Sequence, residues 1–411
     1  MRGKGYTVGM KTILKEANAL KERLVTHRRY LHQNAEIGFD LPKTYAYVEK
    51  TLQELGCKTE KCGKGGLIAT VGDVKQQPIV LLRADMDGLP LREKSGEPFA
   101  CKTGNMHACG HDLHTAMLLG ASELLKRREK RLKGCIKLLF QPAEETLEGA
   151  ENCLKNGVLE PLKPDLAVML HVLTDLPMPT GTAVISSAGV SAPAADFFRI
   201  SVQGKGCHGS TPWKGVDALS VGAHILWGLQ TLSAREIPNG AGTVLTVGSL
   251  TAGKAGNVIA DTAVLAGTLR SFDEETRAEI KMRIKQVATA QAKAFRAKAK
   301  TEFLGGCPTL VNDKKVSEFA YKTAKALLGE DRAFTSAELN GGIKRSSGGS
   351  EDFAYISHEI PSVMIGLCAG ERDKGYAYPL HHPKARFDEG ALPIGAGLLT
   401  ALAILALEKK I

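Results

Sequence analysis

Cys109, His111 and His114 fall within six positions of the stretch MHACGHDLHTAM (106–117), with His107 before them and Asp112 between. Thiolate, imidazole and carboxylate are the side chains that hold zinc, manganese or cobalt. The Cys109-Gly110-His111 spacing is too short for one face of a helix, where neighbours lie three or four residues apart. It suits a loop in which Gly110 lets the backbone turn so that two side chains converge. The apolar run 116–125 predicts a helix directly after it. A buried cysteine beside surface histidines is the plainer alternative, and this stretch by itself leaves both open.

Four other segments carry compatible groups. FQPAEE (140–145) follows an apolar run and sets Glu144 beside Glu145. Adjacent carboxylates repel, so their pairing in a half-buried place calls for a cation. Neighbouring side chains point in different directions, so one can bind an ion while the other takes a proton from water that the ion has acidified. A solvent-facing acidic helix start is the alternative. His171 closes the apolar run DLAVML, and RADMDGLP (83–90) offers Asp85 and Asp87 just past another. A carboxylate there could orient a ligating imidazole. YPLHHPKARFDE (378–389) adds His381 and His382. The glutamate pair, His171 and RADMDGLP each leave a strand or close one, at the carboxyl edge where open α/β sheets bind ligands, and one of the two later histidines could complete a shell.

The elements that must position these groups follow from the apolar pattern. Runs at 67–72, 79–85, 135–140 and 165–172 read as strands alternating with helices over 10–33 and 42–55, which predicts a mostly parallel sheet covered on both faces. The stretch 186–196 is small and Gly- and Pro-bearing, and reads as a hinge. Beyond it the order β-α-β-β-α-β predicts an inserted ferredoxin-like α+β domain. The α/β texture then resumes, with helices near 313–328 and 390–408 and a strand at 362–367. The expected division is 1–194 and 305–411 for the catalytic domain and 195–304 for the insert; a chain of 411 residues is long enough for two cores.

Composition narrows the function classes. Apolar residues make up 43% and charged residues 24%, as in globular proteins generally. No run of eighteen apolar residues occurs, so no membrane partner is expected, and the N-terminus does not read as a secretion signal. The nine cysteines are odd in number and scattered, which suits reduced thiols and a cytoplasmic setting. The net charge of +10 raises nucleic acid as a partner, but aromatic residues are only 5% and do not interleave with the basic ones. A solvated basic surface is the expectation, with no nucleic-acid partner.

Taken together, RADMDGLP, MHACGHDLHTAMLLGA, FQPAEE, the histidine closing DLAVMLHV, HGSTPWKGVDAL, SEDF and LHHP…FDEGALPIGA resemble the amidohydrolase branch of the aminoacylase/carboxypeptidase metallopeptidases. Hippurate hydrolases, N-acyl-amino-acid amidohydrolases and the plant auxin-conjugate hydrolases belong there. The resemblance spans almost the whole chain in order, including HRRYLHQNAEIGF (27–39). It implies two divalent ions per subunit (zinc, manganese, nickel or cobalt) held by Cys109, His111, Glu145, His171 and His381. It also implies Glu144 as general base and acid, and Asp87 as the carboxylate behind the ligands. His208 would meet the substrate carbonyl, while Asn257 and Arg270 would hold a substrate carboxylate. Glu351 in SEDF receives no role, and Thr146 stands where the family carries glycine after the glutamate pair. The implied reaction is hydrolysis of N-acetyl or N-aroyl amino acids by metal-activated water, in a homodimer or higher homo-oligomer joined through the insert as a lid. A metallo-dipeptidase or carboxypeptidase on the same scaffold, a non-catalytic binding protein and a nucleic-acid binder are the competing readings.

Overall fold

The computed structural model describes residues 3–238, 240–341 and 349–409. Its described residues divide into two compact units: 3–191, 311–341 and 352–409 form unit 1, and 192–238, 240–310 and 349–351 form unit 2.

The chain opens with α1 (Gly3–Ala19), α2 (Lys21–Gln33) and α3 (Pro42–Glu54). Strands β1 (Lys58–Cys62), β2 (Gly66–Gly72) and β3 (Ile79–Asp85) follow, then α4 (His111–Lys126), β4 (Cys135–Gln141), α5 (Gly149–Lys155), β5 (Leu166–Leu173), β6 (Ala183–Ile185) and β7 (Gly189–Ala192). The insert holds β8 (Ala194–Gln203), β9 (Cys207–His208), α6 (Ala218–Arg235), β10 (Val244–Ala252), β11 (Val258–Ile259), β12 (Thr262–Ser271), α7 (Glu274–Ala294) and β13 (Lys298–Cys307). The chain closes with β14 (Leu310–Asn312), α8 (Lys314–Leu328), β15 (Ala333–Thr335), α9 (Ser336–Leu339), α10 (Ala354–Ser357), β16 (Ser362–Cys368) and α11 (Ala391–Lys409).

Unit 1 is built on an eight-stranded sheet of order β1-β2-β4-β3-β5-β16-β6-β15. Its four central strands, β4, β3, β5 and β16, are parallel. β1, β2 and β6 instead pair antiparallel at the flanks. Every residue of β3 and β4 is buried, the mark of strands covered on both faces. In register, Asp85 pairs with Gln141 and Arg83 with Met169. The segments leaving β3 and β4, and the end of β5, therefore reach one edge at the same height.

Helix α4 is buried from His111 to Leu125, so it is a core helix rather than an amphipathic cover. It packs on α11 by close approach at Gly395, where a Cβ would stand 2.2 Å from Met117 Sδ. α11 is long and apolar enough to cross a membrane by length and composition. However, 15 of its 19 residues are buried in unit 1. Gly, Pro and Thr interrupt its sequence, so it contains no unbroken apolar run of that length. The single helix expected over 10–33 is two helices that break at Leu20, and the stretch expected as a hinge is mostly strand, in β7 and the start of β8.

Unit 2 is the β-α-β-β-α-β arrangement, with antiparallel strands in the order β10-β12-β8-β13. Phe198, Ile200, Leu265 and Leu269 from the sheet pack against Ile225, Leu229, Ile280 and Ile284 from α6 and α7.

Candidate metal centre

The carboxyl edge of β3, β4 and β5 meets the start of α4. Gly110, the residue before α4, has φ +82°, and a Cβ there would stand 2.3 Å from Val172 Cγ2. Only glycine both turns left-handed and tolerates that approach, which places Cys109 and His111 on either side of a tight bend. Cys109 Sγ lies 3.5 Å from His171 Nε2 and 3.2 Å from His381 Nε2. His381 Nε2 is also 3.4 Å from Glu145 Oε1. His111 Nε2 lies 3.9 Å from both Glu144 Oε2 and Glu145 Oε1. Two donor triads, Cys109/His111/His171 and Cys109/Glu145/His381, thus share one sulfur; Glu144 belongs to neither but groups with His111 and Glu145.

The imidazoles are aimed by their far nitrogens. His111 Nδ1–H donates to the Asp87 carbonyl at 2.9 Å, and His171 Nδ1–H donates to the Val172 carbonyl at 2.7 Å. In each ring the proton is therefore on Nδ1, and Nε2 keeps its lone pair. His381 has φ +64° and is held by its backbone N–H on the Ala108 carbonyl at 3.0 Å. His382 turns away and stacks on Tyr378, with ring centroids 4.6 Å apart.

Asp87 organises the glutamate pair. Its two carboxylate oxygens accept the backbone N–H groups of Glu144 at 3.0 Å and Glu145 at 3.2 Å. Ala143 at φ 55° and Leu147 at φ 57° bracket this turn. Left-handed conformations at non-glycine residues persist where the surroundings hold them, and such places cluster at functional sites. Gly88 N–H donates to the Glu36 carbonyl at 2.7 Å, and Ala143 N–H to the Gly38 carbonyl at 3.0 Å. The segment after α2 therefore braces the turns of Asp87 and Glu144 together. Thr146 is exposed, with its hydroxyl on the Ala143 carbonyl.

The donor set fits cations on two observations. His111 Nε2 and Glu145 Oε1 are buried without a hydrogen-bond partner, a costly state for polar atoms unless something else satisfies them. Burial pushes the Cys109 thiol up, against the pull of His111, and pushes Glu145 up to about 7 against the same pull, with Asp87 and Asp85 adding to the rise. Burial works against a charged His111, yet Asp85 and Asp87 outweigh it and raise its pKa. A pocket that resists negative charge on its thiol and favours a proton on its imidazole is one in which positive charge is wanted.

Behind the Cys109–His111 loop, Asp112 accepts from Arg28 Nε and from His32 Nδ1, each at 2.8 Å. His32 Nε2 faces Glu93 at 3.1 Å. Burial disfavours charge on His32, but Asp112 and Glu93 outweigh it and raise its pKa to about 9. That exceeds the unfolded value near 6.5, so the stabilisation is complete below about pH 6.5 and is lost as pH rises through about 9; its size is on the order of 3 kcal/mol. Denaturation midpoints should fall across that window in the parent, whereas His32→Gln should be less stable at pH 6 and flat across it. An equal decline in both proteins would assign the effect elsewhere.

His208, Asn257 and Arg270 lie in unit 2. His208 in β9 pairs with Val258 in β11, and Gly209 N–H donates to the Asn257 carbonyl at 2.7 Å, so these two expected residues are neighbours. Ser210 presents its N–H at 3.1 Å and its hydroxyl at 2.7 Å to His208 Nδ1, which leaves the proton of the neutral ring on Nε2. Arg270 is in β12, with Nη1 3.5 Å from Thr268 Oγ1.

Sequence reasoning gave no role to the buried group of Arg83, Gln141 and Asp352. Arg83 Nε donates to Gln141 Oε1 and its Nη2 to Asp352 Oδ1, both at 2.9 Å. The available signal was the arginine inside the apolar run IVLLRAD, which cannot be buried without a carboxylate.

Comparison with known proteins agrees with this architecture. Residues 81–404 match the model of peptidase family M20/M25/M40. The chain is 36% identical over 389 residues to an N-acetyl-L-cysteine deacetylase of Bacillus subtilis (strain 168), covering 93% of this chain and 88% of that protein. It is 33% identical over 393 residues to the IAA-amino acid hydrolase ILR1-like 2 of Arabidopsis thaliana, with 94% and 86% covered. Among solved structures, the Bacillus subtilis YXEP protein, a dinuclear metal binding peptidase from the M20 family, is similar with a TM-score of 0.76 and 31% identity over 95% of this chain and 99% of that one. On the extent of these matches, the chain belongs to peptidase family M20/M25/M40.

Proposed function

We propose that this chain is a metal-dependent amidohydrolase that cleaves the amide bond of N-acyl amino acids, releasing a carboxylic acid and a free amino acid. The observation that carries the reading is the sharing of Cys109 by two donor triads, with Glu144 beside them and outside both. Relatives named as an acetyl-cysteine deacetylase and an amino acid conjugate hydrolase support the substrate class.

Cys109, His111, Glu145, His171 and His381 would hold two divalent cations, and the thiolate favours zinc, nickel or cobalt, with manganese the further choice from the family resemblance. When bound, such ions supply Lewis acidity and lower the pKa of water in the site. Glu144 takes the proton of the attacking water and returns it to the leaving amine. Asp87 holds both glutamates through their backbone amides. His208, with its proton on Nε2, donates to the developing oxyanion, and Arg270 and Asn257 grip the substrate carboxylate. In this reading unit 2 acts as a lid and carries the contact surface of a homodimer, with Trp213, Trp227 and Val244 exposed on it. Nine free cysteines fit a reducing, cytoplasmic setting.

The test is a metal-supplemented assay across N-acetyl and N-benzoyl amino acids beside free dipeptides. Acyl amino acids should be turned over at least about 10²-fold better, the scale on which a site rejects a group it was not built to bind. Turnover confined to dipeptides would favour the dipeptidase instead, and no turnover of either class would remove the amide reading.

A further inference from the structure

The motif that holds Cys109 and His111 contains another histidine, His114, to which the reading above gives no part. It lies in the first turn of α4, 2% exposed, and both of its ring nitrogens are engaged. Val172 N–H donates to Nε2 at 2.8 Å, so the proton is on Nδ1, which donates to Asp85 Oδ1 at 2.6 Å. Neither nitrogen keeps a lone pair for a cation. The cluster of Asp85, His111 and His114 is therefore no third ion site, although its atoms lie close enough together.

What His114 holds is the residue after His171. The Val172 N–H belongs to the peptide bond that follows His171, while the Val172 carbonyl receives the proton of His171 Nδ1. Val172 is thus gripped from two sides, by His114 at its nitrogen and by His171 at its oxygen, and the result points His171 Nε2 at Cys109 Sγ, 3.5 Å away. His114 is in turn anchored. Asp85 Oδ2 accepts from Arg83 Nη1 at 2.6 Å, and Asp352 accepts from Arg83 Nη2 at 2.9 Å, Gln141 Nε2 at 2.7 Å and Ala150 N–H at 2.8 Å. The side chains of His114, Asp85, Arg83, Gln141 and Asp352 are all essentially buried. An apolar residue at position 114 would pack α4 equally well, so helix packing does not explain a buried imidazole with a buried carboxylate and guanidinium behind it.

We propose that His114 is a positioning residue: its bond from the Val172 N–H sets the aim of His171 and so the affinity for the cation held by Cys109, His111 and His171. This rests on the ligand reading above. The tests are His114→Asn and His114→Gln. The glutamine carbonyl reaches the place of Nε2 and can accept from Val172, whereas the asparagine amide stops at the place of Nδ1 and keeps only Asp85. Affinities for the first and second Zn²⁺ would be measured by calorimetry, with melting temperatures of the metal-free proteins. His114→Asn should weaken one ion about 10–100-fold, the usual scale for a residue that orients a ligand. His114→Gln should restore it to within a few-fold, with the other ion and the metal-free melting temperatures matched between the two variants. Parent affinity in His114→Asn, or equal weakening of both ions in both variants, would overturn the proposal. His171→Ala measured in parallel separates the two levels: if it keeps both ions, the ligand reading fails rather than the positioning. Should the variants not fold, ¹⁵N-histidine spectra of the unaltered metal-loaded protein decide. The proposal requires His114 protonated at Nδ1 with Nε2 unmetallated, and a metal-bound Nε2 contradicts it.

Discussion

Glu144→Gln should retain both ions and lose turnover by about 10³–10⁴-fold, the upper part of the range for a positioned general base. The carboxylate is buried, and its Oε2 stands 3.9 Å from His111 Nε2, near the donors but outside both triads that share Cys109. Its backbone is fixed by Asp87 at 3.0 Å, so the amide can occupy the same position. Glutamine keeps the size but removes the negative charge, and with it the ability to take a proton. Steady-state kcat with metal analysis of the same sample reads the result. Activity within tenfold of the parent would remove Glu144 from the base role, and loss of metal would make it a ligand instead.

Cys109→Ala should empty the centre. Its sulfur lies 3.5 Å from His171 Nε2 and 3.2 Å from His381 Nε2, and both donor triads contain it. Four-ligand zinc sites hold on the order of 10–16 kcal/mol, so one donor is worth on the order of 3 kcal/mol, about 10²-fold in affinity. Because the sulfur is shared, that loss falls on both ions, and turnover should drop to background at micromolar metal. The variant should still fold, since a small apolar side chain suits a position that is 7% exposed. Retention of two ions at parent affinity would show that the sulfur belongs to neither.

The parts of this arrangement differ in how far they could be read from the chain. The strands 79–85, 135–141, 166–173 and 362–368 are visible because a strand covered on both faces must be apolar throughout. The direction of β2 against β4 is not, since burial looks the same for either orientation. β6 and β15 escape because three residues carry no period. In the centre, residue type singled out the donors. What the ring nitrogens do was hidden, because a histidine near a cysteine looks like a ligand until its partners are known. His114 differs from His111 in that the Val172 N–H occupies its Nε2, whereas His111 Nε2 has no hydrogen-bond partner. Arg83 could be recognised as a buried charge in need of a carboxylate, but its partner Asp352 is 269 residues away, and nothing local points to it.

The most direct test is anomalous diffraction from crystals of the zinc-loaded protein, recorded at the absorption edge of the added ion. Two peaks should appear, both within bonding distance of Cys109 Sγ, at about 2.3 Å for zinc. One should also touch His171 and the other Glu145 and His381. Peaks that leave Cys109 beyond bonding distance would contradict the account.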